Sequence, residues 1–151
     1  MMERIFQIHS KQDEKFLRRK VADFDFKAFT KKEINTLIKQ MRVIMEAANG
    51  VGLSANQIGL TMNVFVAKDD KKFYAIFNAS ISKPSKTTVE FEEGCLSVPG
   101  TFASVLRPEK VILTGYDKNG KKLKIKAWGF LARVFQHEVD HLNGKLFIDH
   151  L

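Results

Sequence analysis

The pattern of apolar and polar positions along the chain indicates first a helix and then a set of strands. Apolar residues recur at helical spacing over residues 34–48, and Thr30 followed by Glu33 forms a capping-box pattern at their start. An Asn-Gly pair ends this periodicity, so the sequence predicts a first amphipathic helix here. Over residues 63–116 short β-rich runs alternate with turn-like stretches, which predicts strands of a mixed sheet.

Two further elements follow near the C-terminus. Asn119 and Gly120 separate two strand-like runs, and the apolar residues of the second run alternate with lysines, as expected for a half-buried edge hairpin. A second helix is predicted to begin near Trp128 or Phe130 and to end before Gly144. The three prolines are predicted to mark loops and turns between these elements: Pro84, Pro99 and Pro108.

The predicted second helix carries a broad apolar stripe that includes a carboxylate. Arg133, His137 and His141 follow one another at intervals of four on the adjoining stripe, while Glu138 lies among the apolar positions. A carboxylate on an apolar face is costly unless it has a function. The predicted fold class is α+β, with mixed, largely antiparallel sheets packed around this helix, and residues 1–151 are expected to form one domain.

Composition and charge narrow the class of protein. The chain has 151 residues, of which 44% are hydrophobic and 28% charged, which is typical of a soluble globular protein without a membrane span. Cys95 is the one cysteine, so no internal disulfide is possible, and a cytoplasmic location is expected. The net charge of +8 could speed encounter with polyanions such as ribosomal RNA. The basic residues stand in short scattered groups, however, which predicts no dedicated nucleic-acid site.

The strongest chemical signal is the pattern H-E-x-x-H at His137, Glu138 and His141. Two histidines four apart on a helix project to the same side and can bind one metal ion. A hydrolytic metal site needs a third protein ligand, and Cys95, with glycines on either side at 94 and 100, is the outstanding candidate. The alternatives are a polar helix face with coincidental histidines and a buried structural thiol.

A glycine-rich run at residues 50–57 follows the first helix directly. Its two glycines permit close backbone approach, but it lacks the lysine of a phosphate loop and the third glycine of a dinucleotide fingerprint. A nucleotide site is therefore improbable. Taken alone, the run is more often a tight helix-to-strand turn.

The segments GVGLSANQ (50–57), EGCLS (93–97) and QHEVDH (136–141) resemble the three motifs of peptide deformylases. The similarity covers essentially the whole chain. It implies a metal-dependent hydrolase that removes the formyl group from the N-terminal formylmethionine of nascent polypeptides. It also implies that Cys95, His137 and His141 bind one divalent metal ion. Spacing alone suggests zinc, whereas the resemblance favours Fe(II), with Zn(II), Ni(II) or Co(II) able to occupy the site.

The same resemblance assigns further roles. Glu138 matches the general base and acid, and its apolar surroundings are expected to raise its pKa toward neutrality. The side-chain amide of Gln57 and the backbone N–H of Leu96 match the donors that stabilise the oxyanion. Glu93 and Arg107 match a pair that braces the metal-binding segment, for which the alternative is a solvated ion pair of little energetic value. The implied substrate-binding positions are Gly50, Val51, Gly52, Phe91, Glu93, Gly94, Phe130, Arg133 and Val134.

Several of those positions should form an apolar pocket for the methionine side chain: Val51, Phe91, Phe130, Val134 and His137. The alternative is that they are simply core residues. Departures from the family pattern are Ser54, where alanine is usual, Arg133, where an apolar residue is common, and Phe102, where a polar or basic residue is frequent. Arg133 is expected either to contact substrate beyond methionine or to reach into water with its stem packed.

The chain ends at Leu151, ten residues after His141. Within the resemblance, this predicts a short form without the C-terminal helix used for ribosome docking, as in phage-encoded relatives, so that any ribosome association would be weak. Two other functions stay open at this point. One is a metallohydrolase that acts on another small N-acyl group, and the other is a catalytically idle module that binds nascent chains or RNA.

Overall fold

The computed structural model describes residues 4–151, which form three α-helices and seven strands. The helices are α1 (Lys11–Leu17), α2 (Lys31–Ala47) and α3 (Gly129–Leu142). The strands are β1 (Gly52–Ser54), β2 (Val64–Lys68), β3 (Phe73–Ser82), β4 (Thr88–Cys95), β5 (Val98–Pro108), β6 (Lys110–Tyr116) and β7 (Lys122–Trp128). Among the helices of this described part, none is long and apolar enough to span a membrane.

Both predicted helices are present close to their expected bounds. The Thr30 hydroxyl accepts a hydrogen bond from the Glu33 backbone N–H, and the Glu33 carboxylate accepts one from the Thr30 N–H, so the capping box at α2 is formed. Trp128 is the N-cap of α3. Gly144 follows α3 with φ of 78°, and a Cβ there would collide with the backbone of Arg18, so glycine is required.

The strands form two sheets. A five-stranded sheet has the order β1-β2-β3-β6-β7, and β4 and β5 form a separate two-stranded sheet. Within residues 4–151 every strand pair is antiparallel, and parallel pairing is limited to an isolated bridge between Ala22 and Met62. The α+β class is confirmed, and β7 is an edge strand paired with β6, as the hairpin pattern predicted.

Helix α3 lies against the inner face of the five-stranded sheet and carries the candidate site. Phe135 of α3 is fully buried and meets the ring of Phe65 on β2 edge-on, with centroids 5.8 Å apart. A second apolar cluster joins α2 to β1 and β2 through Met41, Met45 and Leu53. His137, Glu138 and His141 are therefore mounted on a helix that the core holds in place.

The expectation that all three prolines lie outside regular structure is wrong for two of them. Pro84 lies in the loop between β3 and β4, but Pro99 and Pro108 are the second and last residues of β5. Because β5 pairs only with β4, it keeps a free edge where a residue without an N–H is tolerated.

Candidate metal centre

Cys95 at the end of β4 meets the two histidines of α3. The Cys95 Sγ lies 3.2 Å from His141 Nε2, and that nitrogen lies 3.3 Å from His137 Nε2. The three donor atoms all lie within 4.8 Å of one another. The packing of β4 against α3 thus brings together a cysteine and a first histidine that are separated by 42 positions in the sequence.

This donor set fits a divalent transition metal. A four-coordinate ion binds imidazole nitrogen at about 2.0 Å and thiolate sulfur at about 2.3 Å, which separates the donors by about 3.3 to 3.6 Å. The observed separation of 3.3 Å between the two imidazole nitrogens agrees with that requirement, and the separation of 3.2 Å between Cys95 Sγ and His141 Nε2 is slightly shorter than it. Three soft or borderline donors also leave one position open for a small molecule, the arrangement of a catalytic rather than a structural site.

Glu93 fixes the orientation of His137. Its Oε1 lies 2.9 Å from His137 Nδ1, and because the carboxylate can only accept, Nδ1 carries the hydrogen and Nε2 faces Cys95. Burial alone would lower the pKa of His137, but hydrogen bonds with Cys95 and Glu93 outweigh it and raise the pKa to about 10. A metal cation at Nε2 would take the place of a proton on this ring, because only an unprotonated imidazole nitrogen binds a metal.

The Glu93 carboxylate is itself held by two arginines. Arg107 donates to it through Nε at 2.6 Å and Nη2 at 3.0 Å, and Arg133 donates through Nη1 at 2.7 Å. Burial would raise the pKa of Glu93, but the hydrogen bonds from His137, Arg107 and Arg133 hold it well below its usual range. Because Glu93 is 6% and Arg107 3% exposed, the alternative of a solvated ion pair is wrong.

One of the two expectations for Arg133, that it reaches into water, is wrong. The residue is 8% exposed, and besides Glu93 it donates to the carbonyl oxygens of Val105 at 2.8 Å and Val89 at 2.6 Å. The guanidinium has five donors, and the buried carboxylate and two strand carbonyls satisfy several of them. Arg133 therefore joins β4 and β5 to α3, while its side chain also lines the pocket described below.

Glu138 projects into the site from the next position of α3. It is 3% exposed, and its Oε1 has no hydrogen-bond partner among residues 4–151. Burial raises the pKa of Glu138 to about 7, in agreement with the sequence-based expectation. A Cβ at Gly52 would collide with the Glu138 carboxylate, so the glycine-rich run permits the close approach of this side chain.

Gln57 presents its amide nitrogen to the same site. Its Oε1 accepts a hydrogen bond from the Ser54 N–H at 3.0 Å, which turns Nε2 toward Ser97 Oγ at 3.0 Å and Cys95 Sγ at 3.7 Å. The Ser54 hydroxyl also lies 3.1 Å from Gln57 Oε1, so the serine fits beside the amide that it helps to fix.

A cavity of about 620 Å³ opens beside the three donors. The predicted metal, catalytic and substrate-binding residues all line it except His141, which is fully buried behind the other two ligands. Arg107, predicted to brace the metal-binding segment, does not line it either. Val51, Phe91 and Phe130 are 42%, 51% and 48% exposed, so the alternative that they are core residues is wrong. Val134 is 4% exposed and serves the core and the cavity wall together.

Phe102 lies at the rim of this cavity and is 67% exposed. Its ring covers Gly94, where a Cβ would lie 2.5 Å from Phe102 Cε1. Gly94 therefore provides the space that the phenylalanine occupies.

Sequence reasoning missed two residues that support the ligands. Asp140 accepts hydrogen bonds from Arg107 at 2.9 Å and from His150 at 2.9 Å, and Asn56 donates to the His141 carbonyl at 2.6 Å. Both lie inside motifs that the sequence analysis singled out. The sequence alone gives no signal of their partners, which lie 10 to 85 positions away.

Comparison with known proteins places the chain beside the polypeptide deformylases. The family model described as polypeptide deformylase matches residues 2–151. The peptide deformylase of Borreliella burgdorferi is 42% identical over 120 residues, covering 78% of this chain and 73% of the relative. A probable peptide deformylase from Synechococcus phage S-SSM7 superposes with a TM-score of 0.86 at 39% identity, covering 98% and 99% of the two chains. The Thermotoga maritima peptide deformylase superposes with a TM-score of 0.89 at 32% identity, covering 100% of this chain and 98% of that structure.

Proposed function

We propose that this chain, which belongs to the polypeptide deformylase family, hydrolyses the formyl group of N-formylmethionyl peptides in the cavity beside Cys95. The observation that carries this proposal is the convergence of Cys95, His137 and His141 beside the buried Glu138 carboxylate, whose Oε1 has no hydrogen-bond partner among the described residues. We take residues 1–151 to be one catalytic domain.

We assign the metal to Cys95, His137 and His141, and its physiological identity to Fe(II), with Zn(II), Ni(II) or Co(II) as substitutes. When bound, the ion supplies a Lewis acid that polarises the formyl carbonyl and acidifies water. Glu93 supports this assignment because it directs the Nδ1 hydrogen of His137 away from the centre.

Glu138 moves the protons. Its pKa of about 7 suits a group that takes a proton from the attacking water and then gives it to the amine that leaves. Its position opposite Gly52 aims the carboxylate at the cavity rather than along the helix. The partnerless Oε1 is the oxygen that would accept the proton.

Gln57 and Leu96 would hold the oxyanion. The Gln57 amide nitrogen lies 3.7 Å from Cys95 Sγ, and the Leu96 N–H belongs to the residue directly after this ligand. Two such donors aimed at the developing charge are each worth about 3 to 4 kcal/mol of barrier.

The apolar wall would receive the methionine side chain. Val51, Phe91 and Phe130 expose apolar surface to the cavity, and Val134 and the His137 ring complete it. We assign the remaining cavity positions to the peptide backbone: Gly50, Gly52, Glu93, Gly94 and Arg133. The partners are nascent formylated peptides, and the proposed setting is the cytoplasm with weak ribosome association.

Anaerobic purification, elemental analysis and peptide hydrolysis test this function together. The protein is expected to contain about one divalent ion per chain and to deformylate formyl-Met-Ala-Ser but not the matched acetyl-Met-Ala-Ser. Removal of the metal by a chelator should abolish turnover, and added Fe(II) should restore it. Equal rates on both peptides would replace this substrate with a broader class of N-acyl groups.

A further inference from the structure

The positive charge of the chain is concentrated in one hairpin. Residues 110–126 contain six lysines and one aspartate, a net charge of +5, whereas the whole chain carries +8. The other 134 residues together therefore carry only +3. This distribution differs from the scattered charge that the short basic groups of the sequence suggested.

Strand register places most of these lysines on one face of the five-stranded sheet. Lys122, Lys124 and Lys126 of β7 alternate with the inward residues Leu123, Ile125 and Ala127 and are exposed. Because alternate residues of a strand lie about 6.8 Å apart, the row from Lys122 to Trp128 is about 20 Å long.

Neighbouring strands extend the same face. Lys110 pairs with Trp128, Thr114 with Lys124, and Ser80 of β3 with Thr114, so hydroxyl groups lie beside the lysine row. The loop after β3 adds charge at the Lys110 end, because Ser85 exchanges backbone and side-chain hydrogen bonds with Lys110. Lys83 and Lys86 flank that serine and are exposed.

The ammonium groups of the lysines on this face are not paired with carboxylates among the described residues. Among residues 4–151, none of the lysines between 83 and 126 forms a salt bridge. The acidic residues next to these lysines make other contacts. Asp117 accepts hydrogen bonds from the backbone N–H groups of Asn119 and Lys121 at the hairpin turn. Glu109, directly before Lys110, is half-buried.

We infer that this lysine face, formed by the outward residues of β6 and β7 with Lys83 and Lys86, is a docking surface for RNA. Lysines about 6.8 Å apart supply point charges to successive phosphates, and hydroxyl groups donate to phosphate oxygens. Trp128 is 67% exposed at the end of the row and offers a surface on which an unpaired base can stack. A membrane-binding face would instead need a broad apolar stripe. Besides Trp128, the apolar side chains that share this face are Ile112 and Tyr116, which are half-buried, and each lies opposite a lysine of β7.

The lysine face begins close to the catalytic cavity. A role for RNA docking near this cavity rests on the proposed function. Trp128 is followed directly by Gly129 and by Phe130, which lines the catalytic cavity. An RNA bound at the Trp128 end of the face would therefore lie two residues along the chain from this wall of the cavity.

An ordinary structural explanation of the β7 lysines is that they prevent edge-to-edge pairing of β7 with other sheets. That explanation needs charge on β7 alone. Lys110 lies on β6, which is an interior strand of the sheet. A contribution of Lys110 to RNA affinity therefore separates the two explanations.

The test measures binding of a labelled single-stranded RNA of about 20 nucleotides by fluorescence anisotropy between about 50 and 200 mM salt. The triple variant K122Q/K124Q/K126Q is expected to bind at least tenfold more weakly and to reduce the slope of log K against log salt by about 2. The matched control K31Q/K32Q/K39Q removes the same charge from exposed positions of α2 and should stay within about twofold of the wild type. K110Q alone should reduce the slope by about 0.7.

Equal losses in the two triple variants would show that only net charge matters and would overturn the inference, as would an unchanged slope in K110Q. Binding to vesicles of mixed neutral and anionic lipid, with no RNA binding at the same salt, would replace RNA by a membrane. Deformylation of free formyl-Met-Ala-Ser should be the same in all the lysine variants and the wild type. Failure of that assay in the wild type would refute the proposed function while the RNA measurements still decide the docking surface.

Discussion

The metal centre and the β6–β7 hairpin both carry several charged side chains, but water is excluded from the first and covers the second. Glu93, Arg107 and Arg133 are each less than a tenth exposed and satisfy one another within 3.0 Å. The lysines of β7 are exposed and form no salt bridge within residues 4–151.

This difference decides what each charge contributes. Removal of one partner from a buried ion pair leaves the other charge without compensation, at a cost of about 3 to 5 kcal/mol. Removal of a solvated charge changes the free energy of unfolding by about 0.5 kcal/mol or less. Charges of the first kind fix geometry, and charges of the second kind remain available to a partner. Substitutions in the two regions should therefore separate in size and in the property that they change.

The largest effect is expected for Glu138→Gln. The substitution keeps the shape of the side chain but removes the proton acceptor, so kcat on formyl-Met peptides should fall by about 10²- to 10⁴-fold. The metal content should stay near that of the wild type, because Glu138 is not among the three donors. Lys124→Gln, which removes a charge from the hairpin, is the control and should keep kcat within about twofold. Near wild-type turnover in Glu138→Gln would refute its assigned role.

Glu93→Gln tests the buried arginine pair. Loss of this negative charge leaves Arg107 and Arg133 without their shared acceptor, and the free energy of unfolding should drop by about 3 to 5 kcal/mol. Urea unfolding of the metal-loaded protein measures the change. Glu46→Gln removes a half-exposed carboxylate paired with Arg42 and should cost about 0.5 kcal/mol or less. Equal costs in the two variants would erase the distinction between the buried and solvated charges.

Cys95→Ser should act on metal retention more than on the fold. A neutral hydroxyl is a poor substitute for thiolate, so affinity for the ion should fall by more than the 10- to 100-fold that loss of an outer partner costs. Metal content after dialysis, beside that of Glu138→Gln, provides the measurement. A serine variant that keeps its ion would remove Cys95 from the donor set.

Sequence patterns predicted the parts of this fold whose signals are local. The capping box at Thr30, the alternation along β7 and the histidines on α3 each depend on residues within a few positions of one another. Two of the prolines were misplaced, because the pairing of β5 with β4 alone is a tertiary fact that no local pattern reports.

The candidate site shows the same limit. Helical periodicity predicts that the two histidines lie together. The sequence made Cys95 a candidate third ligand but could not show that its thiol reaches them, because it lies 42 positions before the first histidine. Arg133 was expected in water or on substrate because its spacing identifies a helix face but not what covers that face. Only the packing of β4 and β5 over α3 shows that Glu93 and two strand carbonyls occupy its donors.

Arg133 itself gives the next smaller effect. Arg133→Met keeps most of the apolar stem but leaves the carbonyls of Val89 and Val105 without this donor, which should cost about 1 to 3 kcal/mol of unfolding free energy. The cost stays below that of Glu93→Gln because Arg107 still neutralises the carboxylate. Arg42→Met, at a half-exposed position on α2, is the matched control, with an expected change of about 0.5 kcal/mol or less. A smaller loss in Arg133→Met than in this control would mean that water replaces the guanidinium without cost.

The smallest effect is expected for Lys124→Thr, on the solvated side of the comparison. Threonine suits an exposed strand position, and Thr114 lies directly opposite, where a cross-strand hydroxyl pair contributes a few tenths of a kcal/mol. The free energy of urea unfolding should therefore change by about 0.5 kcal/mol or less, in either direction. Because Lys122 and Lys126 lie about 6.8 Å away, within the Debye length, the substitution relieves some repulsion between lysines, and any gain from this should shrink as salt rises. A loss above about 1 kcal/mol would show that Lys124 stabilises the hairpin itself, and its charge would then no longer be free for a partner.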